Sequence, residues 1–74
     1  MERTIDGYSL WTGAEKMGTD ADWVGTIGVK GSDGELAVHS LDGPSFRSAI
    51  AADEFAKSRL REVVGVGADM ELLF

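Results

Sequence analysis

The chain has 74 residues, no cysteine, and a net charge of −6 from thirteen acidic and seven basic residues. So short a chain has room for one hydrophobic core, which predicts a single domain over residues 1–74. The absence of cysteine excludes disulfides and thiolate zinc sites, and no apolar run reaches the roughly 20 residues of a membrane helix. Because the start also lacks the pattern of a signal peptide, we expect a soluble, cytoplasmic protein with no membrane partner.

The negative charge is concentrated in residues 1–54, which hold ten acidic and four basic side chains and carry the whole −6. A field of this sign repels phosphate backbones, so direct binding of DNA or RNA is not expected. The excess is typical of a solubilising surface. A second interpretation stays open, in which an acidic face docks on a basic surface of another protein.

Near the start, apolar and polar residues alternate around an Asp6-Gly7 turn signal, and this pattern predicts a short strand over 8–11. Thr12 and Glu15 have the spacing of a helix capping box, which predicts one helical turn at most.

The clearest local feature is a hairpin over residues 23–41, in which two apolar runs flank the turn sequence Gly-Ser-Asp-Gly at 31–34. Gly25 and Gly28 within the first run are expected to mark close backbone approach or a bulge. Pairing the two outer glycines of the turn places two apolar rows on one face: Ile27, Val29, Leu36 and Val38. The second face of the hairpin then carries Val24, Ala37, His39 and Leu41.

In the second half, residues 45–50 fit either a third strand, with Phe46 and Ile50 inward, or a lead into a helix. Apolar residues at helical spacing predict that helix at about 52–64, before an apolar segment at 66–74 that forms a covered tail or a last strand. The predicted fold is α+β, with a three- or four-stranded antiparallel sheet packed on one helix in the C-terminal half. Its predicted core is Trp23, Ile27, Val29, Leu36, Val38, Phe55, Leu60 and Val63.

No complete catalytic or metal-binding pattern occurs in the sequence. His39 is the only histidine, and Ser40 directly follows it, so on a strand the two side chains point to opposite faces. A calcium loop that begins at Asp20 fails at two positions, which Val24 and Gly31 occupy. We therefore expect no catalytic, cofactor or metal residues, and we expect that the protein is not an enzyme.

The six aromatic residues exceed what one small core holds, and tryptophan is a frequent interface anchor. The second hairpin face is neither polar nor apolar throughout, which predicts a partner protein or a second subunit on it. The predicted partner-binding residues are Trp11, Asp20, Asp22, Val24, Asp33, Glu35, Ala37, His39 and Leu41.

Five short motifs follow one another along the chain: Trp11 before a polar loop, Trp23-Val24, Val38-His39-Ser40, Asp42-Gly43-Pro44 and Asp53-Glu54-Phe55-Ala56. In this order they resemble the BldB-like family of small regulatory domains, over about residues 11–64. Trp23 and Gly25 depart from the family pattern, which usually has cysteine and glutamate there. The resemblance implies a regulatory, protein-binding role beside helix-turn-helix regulators, together with self-association, and it implies no catalytic residues.

Two functions fit these features. The first is a non-enzymatic regulatory adaptor that binds another protein, such as a DNA-binding helix-turn-helix regulator, with a homodimer as a further form. The second is an acidic inhibitor of the mobile-element or phage type, a nucleic-acid mimic that blocks a basic surface of its target. Salt separates the two, because a complex held mainly by charge weakens steeply as salt rises.

Overall fold

The computed structural model describes residues 1–16, 18 and 22–74, which form one four-stranded sheet, one helix and a small C-terminal hairpin. In chain order the elements are β1 (Glu2–Ile5), β2 (Tyr8–Lys16), β3 (Trp23–Lys30), β4 (Leu36–Ser40), α1 (Ala49–Glu62), β5 (Gly65–Val66) and β6 (Leu72–Leu73). Strands β1 to β4 are antiparallel neighbours in that order, and α1 packs across β2 and β3. The predicted α+β fold is confirmed, with four strands in the sheet. In the described part of the chain, no helix is long and apolar enough to cross a membrane.

The turn between β1 and β2 consists of Asp6 and Gly7, which both have positive φ angles (53° and 82°). Asp-Gly favours this conformation in two-residue hairpins, so the predicted turn is confirmed. Strand β2 continues past Trp11 to Lys16, and the helical turn predicted over Thr12–Glu15 is wrong. Eight residue pairs join β2 to β3, and this ladder outweighs an isolated helical turn, whose nucleation is unfavourable.

The predicted register between β3 and β4 is wrong by one residue. Gly31 lies opposite Glu35 and not opposite Gly34, because its N–H donates to the Glu35 carbonyl (2.9 Å). Gly34 takes a left-handed conformation (φ 91°) at the end of a three-residue loop, a common hairpin form. Since side chains alternate between faces, the shift moves Leu36 and Val38 away from the core. The observed pairs are Thr26–Ser40, Ile27–His39, Gly28–Val38, Val29–Ala37 and Lys30–Leu36.

The core lies between α1 and the sheet face that the helix covers, which we call the inner face. Its buried apolar residues are Leu10, Ile27, Val29, Ala52, Ala56, Leu60, Val63 and Met70. Half of the predicted core is confirmed, namely Ile27, Val29, Leu60 and Val63. Trp23 and Phe55 are only half-buried, and the prediction is wrong for Leu36 and Val38, whose exposed fractions are 62% and 59%.

Helix α1 lies close to the sheet at Gly25 of β3. A Cβ atom at Gly25 would lie 2.8 Å from the Ala52 carbonyl oxygen and 3.2 Å from the Ala56 side chain. Glycine on the strand and alanine on the helix therefore let the two backbones approach each other. The predicted role of this strand glycine, close approach by a neighbouring group, is confirmed.

The helix begins at Ala49 rather than near residue 52, because Ser48 caps it. The Ser48 Oγ accepts a hydrogen bond from the Ala51 N–H (3.1 Å), which satisfies one of the free donors of the first turn. Of the two alternatives predicted for 45–50, the strand is present only at Phe46, which forms a single antiparallel β-bridge with Trp23 of β3. Ile50 already belongs to the helix and is exposed rather than inward.

The end of α1 is held by Arg3 from the inner face of β1. Its Nη1 donates to the carbonyl oxygens of Leu60 (2.6 Å) and Val63 (3.1 Å). These are among the acceptors that the last turn of a helix leaves without a partner. The first strand and the helix end, far apart in sequence, are therefore joined by a cation at the negative end of the helix dipole.

The apolar segment predicted at 66–74 forms the hairpin of β5 and β6. Met70 occupies its turn with a positive φ of 61°, and its side chain is buried in the core. Leu72 packs against the core, whereas Phe74 stays 53% exposed. The prediction of a last strand is confirmed for Leu72–Leu73.

Candidate functional site

The sheet face opposite α1, which we call the outer face, is the main exposed feature of the fold. Of the described helix and strands, none is stacked on it, since α1 contacts β2 and β3 from the inner side and the C-terminal hairpin adjoins the core. The strand pairing assigns these residues to the outer face: Glu2, Thr4, Ser9, Trp11, Gly13, Glu15, Val24, Thr26, Gly28, Lys30, Leu36, Val38 and Ser40.

Trp11 lies across the middle of the outer face, over the backbone of Gly28. A Cβ atom at Gly28 would overlap the Cε2 and Cζ2 atoms of the indole ring, so a larger residue here would displace the ring. The predicted close approach is thereby confirmed at a second strand glycine. The tryptophan is half-buried, and a depression of ≈ 390 Å³ opens beside it, next to Thr4, Ser9 and Lys30. The outer face thus presents an aromatic ring that is fixed from below.

Leu36 and Val38 extend this apolar surface to the edge of the sheet. Gly28 lies opposite Trp11 on one side and opposite Val38 on the other, so the three residues form one row across three strands. Leu36 and Val38, predicted in the core, are surface residues. The signal that could have found them is Gly34, whose left-handed preference marks the end of a three-residue loop.

The four residues predicted to form the second hairpin face do not share a face. Val24 lies on the outer face, half-buried, whereas Ala37 and Leu41 pack against the core. Because side chains alternate along β4, His39 points to the inner face, as Ala37 does two residues earlier. The premise of one exposed surface made of these four residues is therefore wrong, and the one-residue register shift is the reason.

His39 makes a contact inside the fold. Its Nε2 lies 2.7 Å from the Met70 carbonyl oxygen, and because a carbonyl can only accept, Nε2 carries the hydrogen and donates. A depression of ≈ 240 Å³ adjoins it, where the Arg59 guanidinium lies 4.2 Å from the centre of the Phe74 ring. The imidazole thus ties β4 to the turn of the C-terminal hairpin.

The acidic residues predicted to bind a partner are divided between the two ends of the sheet. Asp33 and Glu35 are exposed in the β3–β4 turn, where the Asp33 Oδ1 accepts from the Glu35 N–H (3.1 Å). Asp22 is exposed before the start of β3 and accepts from the Ser45 Oγ (3.2 Å). Asp20 lies outside the described residues. Since the eight residues of β3 span about 25 Å, the acidic groups border opposite ends of the outer face.

The cations of α1 are largely matched by acids on the same helix. The Lys57 Nζ lies 3.2 Å from a Glu54 oxygen and 3.4 Å from an Asp53 oxygen, and Arg59 pairs with Glu62. The hydrogen bond and charge of Glu54, followed by those of Asp53, raise the pKa of Lys57 above its usual value. The excess negative charge of the chain therefore lies outside α1, on the strands, the turns and the C-terminal hairpin.

A scan against protein-family models found no match, and searches of curated proteins and of solved structures found none either. The resemblance to the BldB-like family stays a prediction. In the part of the chain that the structure describes, no group of three or more His, Cys, Asp or Glu side chains lies close enough together to hold a metal ion.

Proposed function

We propose that this protein is a non-enzymatic regulatory adaptor of the cytoplasm, which binds another protein through its outer face. The observation that carries the proposal is a group of three apolar side chains on the outer face, Trp11, Val38 and Leu36, which we call the apolar row. No element among the described residues covers it. The exposed face of an antiparallel sheet is ordinarily polar. A fixed aromatic ring beside exposed aliphatic side chains is instead the composition of an interface centre.

The charges around the outer face define the partner further. Because acidic residues border both of its ends, we infer that the partner carries an apolar patch bordered by Lys and Arg. A DNA-binding regulator such as a helix-turn-helix protein has the basic surface that this requires. A second copy of the chain fits less well, since each copy carries a net charge of −6.

The first test compares charge inserted on the outer face with the same charge inserted elsewhere. Leu36→Asp and Val38→Asp place a carboxylate on the apolar row, and Val64→Asp is the matched control at a position 73% exposed outside the outer face. The partner is isolated from host cells with tagged wild-type protein, purified separately and titrated with each variant by calorimetry. We expect the Kd to rise about 30-fold for the outer-face variants, as for interface hot spots, and to stay unchanged for Val64→Asp.

Circular dichroism and thermal melting check that the three variants are equally folded. Equal affinity of Leu36→Asp, Val38→Asp and wild type would refute the assignment of the outer face. The same loss of affinity in Val64→Asp would show that added charge, and not its position, is responsible.

The division of acidic residues between two ends of the sheet supports a second candidate function, an acidic inhibitor that blocks a nucleic-acid-binding surface. Such a surface carries rows of cations, which two acidic groups about 25 Å apart can contact together. In that case Asp33→Asn with Glu35→Gln should weaken the complex more than Leu36→Asp does, and raising salt from about 0.05 M to about 0.5 M should weaken it steeply. The adaptor predicts the reverse order of the variants and a shallower dependence on salt.

A further inference from the structure

Strand β4 is an edge of the sheet whose outward backbone groups are free to pair with another strand. The N–H of Leu41 donates to the Gly25 carbonyl, and the N–H of Gly31 donates to the Glu35 carbonyl. In an antiparallel ladder, bonded and non-bonded pairs alternate. The backbone N–H and C=O groups of three exposed residues therefore point away from β3, and no group of the described residues bonds them: Leu36, Val38 and Ser40.

The two edges of the sheet differ in how they are protected. At β1 the outward positions are Glu2 and Thr4, and a charged residue on an edge strand resists pairing with other chains. Residues 36–41 contain no acid, no lysine, no proline and no bulge. Their one titratable side chain, His39, is turned inward to the Met70 carbonyl. Strand β4 therefore lacks the devices that normally prevent strand addition.

The charges at the two ends of β4 indicate what adds to it. Asp33 and Glu35 precede the strand, and Asp42 follows it, so an uncharged stretch is closed by acids at both ends. An antiparallel second copy centred on Val38 would place the Glu35 of one copy opposite the Leu41 of the other, one residue from Asp42. Repulsion between these two acids disfavours self-pairing, whereas a segment with Lys or Arg at each end gains attraction at both ends.

We propose that β4 binds an extended segment of the partner protein, with alternating apolar residues between basic ends, as a fifth strand of the sheet. Main-chain hydrogen bonds to Leu36 and Val38 supply affinity, and alternate side chains of the added strand continue the apolar row of the outer face. The inference rests on the proposed function, since it specifies how a protein partner is held.

The test uses a capped, fluorescently labelled peptide, Lys-Val-Thr-Val-Thr-Val-Lys, and measures its binding to the full chain by anisotropy. Val38→Pro removes an outward N–H while leaving the bonds to β3 in place, a substitution that an edge strand tolerates. Thr4→Pro makes the same change on β1 and is the matched control. We expect wild type and Thr4→Pro to bind alike, and Val38→Pro to bind about tenfold more weakly or not at all.

Several outcomes would overturn the proposal. These are equal binding by Val38→Pro and wild type, no binding by wild type, or equal binding of a peptide with glutamate in place of both lysines. Sedimentation of the chain without peptide supplies another: a wild-type dimer that Val38→Pro dissociates would make a second copy the occupant of this edge.

Hydrogen exchange keeps the proposal open to refutation if Val38→Pro does not fold. The peptide should slow exchange of the amides of Leu36, Val38 and Ser40 in the wild type, and unchanged exchange there would contradict strand addition.

The outer-face variants distinguish failure of the edge proposal from failure of the proposed function. If Leu36→Asp weakens the native complex while the peptide fails to bind, the adaptor face stands and the edge fails. If the peptide binds and the native complex is indifferent to Leu36→Asp, the edge stands and the adaptor face fails.

Discussion

The inner and outer faces belong to the same four strands but use their apolar side chains differently. On the inner face Leu10, Ile27 and Val29 are 1% exposed or less beneath α1 and the C-terminal hairpin, whereas on the outer face Leu36 and Val38 are more than half exposed. All five residues are compatible with a β-strand, so strand propensity does not explain the difference in their exposure. The difference is in what lies above them: α1 and the C-terminal hairpin cover the inner residues, and no described element covers the outer ones.

The sharpest way to break this comparison is to truncate one residue on each face. Ile27→Ala should lower the free energy of unfolding by about 2–5 kcal/mol, because it leaves a cavity under α1. Leu36→Ala removes a similar volume from the exposed face and should change the free energy by about 0.5 kcal/mol or less. Urea denaturation followed by circular dichroism measures both. Similar losses in the two variants would mean that the outer face is also part of the core of the folded state.

The faces also mark what the sequence could and could not predict. The first half of β2 and the strands β3 and β4 follow from alternation and turn residues, whereas β1 and the second half of β2 are not predicted as strands. The α+β class follows from adding the amphipathic helix, since these signals are local. The register of β4 is not local, because the sequence at 31–34 allows the ladder to close after two or three residues. One register buries Leu36 and Val38, and the other buries Ala37 and Leu41.

Besides the left-handed Gly34, contacts with the end of the chain accompany the observed register. In the observed register His39 meets the Met70 carbonyl, 31 residues away, and Leu41 reaches the core. No pattern around the hairpin reports this contact. Trp11 and Val24, predicted to bind a partner, lie on the outer face whichever register β4 takes. Leu36 and Val38 depend on that register, and their predicted place in the core is wrong.

A second prediction concerns the way in which the outer face holds its own aromatic ring. Gly28→Ala should destabilise the fold by about 1–3 kcal/mol, because the new methyl group would overlap the Trp11 indole. In a Trp11→Ala background the same substitution should cost far less, and the difference is the coupling between the two positions. Denaturation of the four proteins in this cycle, together with tryptophan emission, measures it. Additive effects would show that Gly28 is needed for some reason other than contact with the ring.

The smallest expected effect belongs to the inner face and to Arg3, which joins β1 to the end of α1. Arg3→Met keeps much of the side-chain volume but removes the donors to the Leu60 and Val63 carbonyls, and should cost about 1–2 kcal/mol. Arg47→Met changes the net charge equally at an exposed position and should have little effect. If the two variants lose equal stability, the change in net charge is the cause. If only Arg3→Met does, and the loss persists at high salt where long-range charge effects are screened, the hydrogen bonds to the helix end are responsible. That second result would show that the hydrogen bonds of Arg3 stabilise the fold from the inner face. Variants of the outer face can then be tested for binding without disturbing these hydrogen bonds.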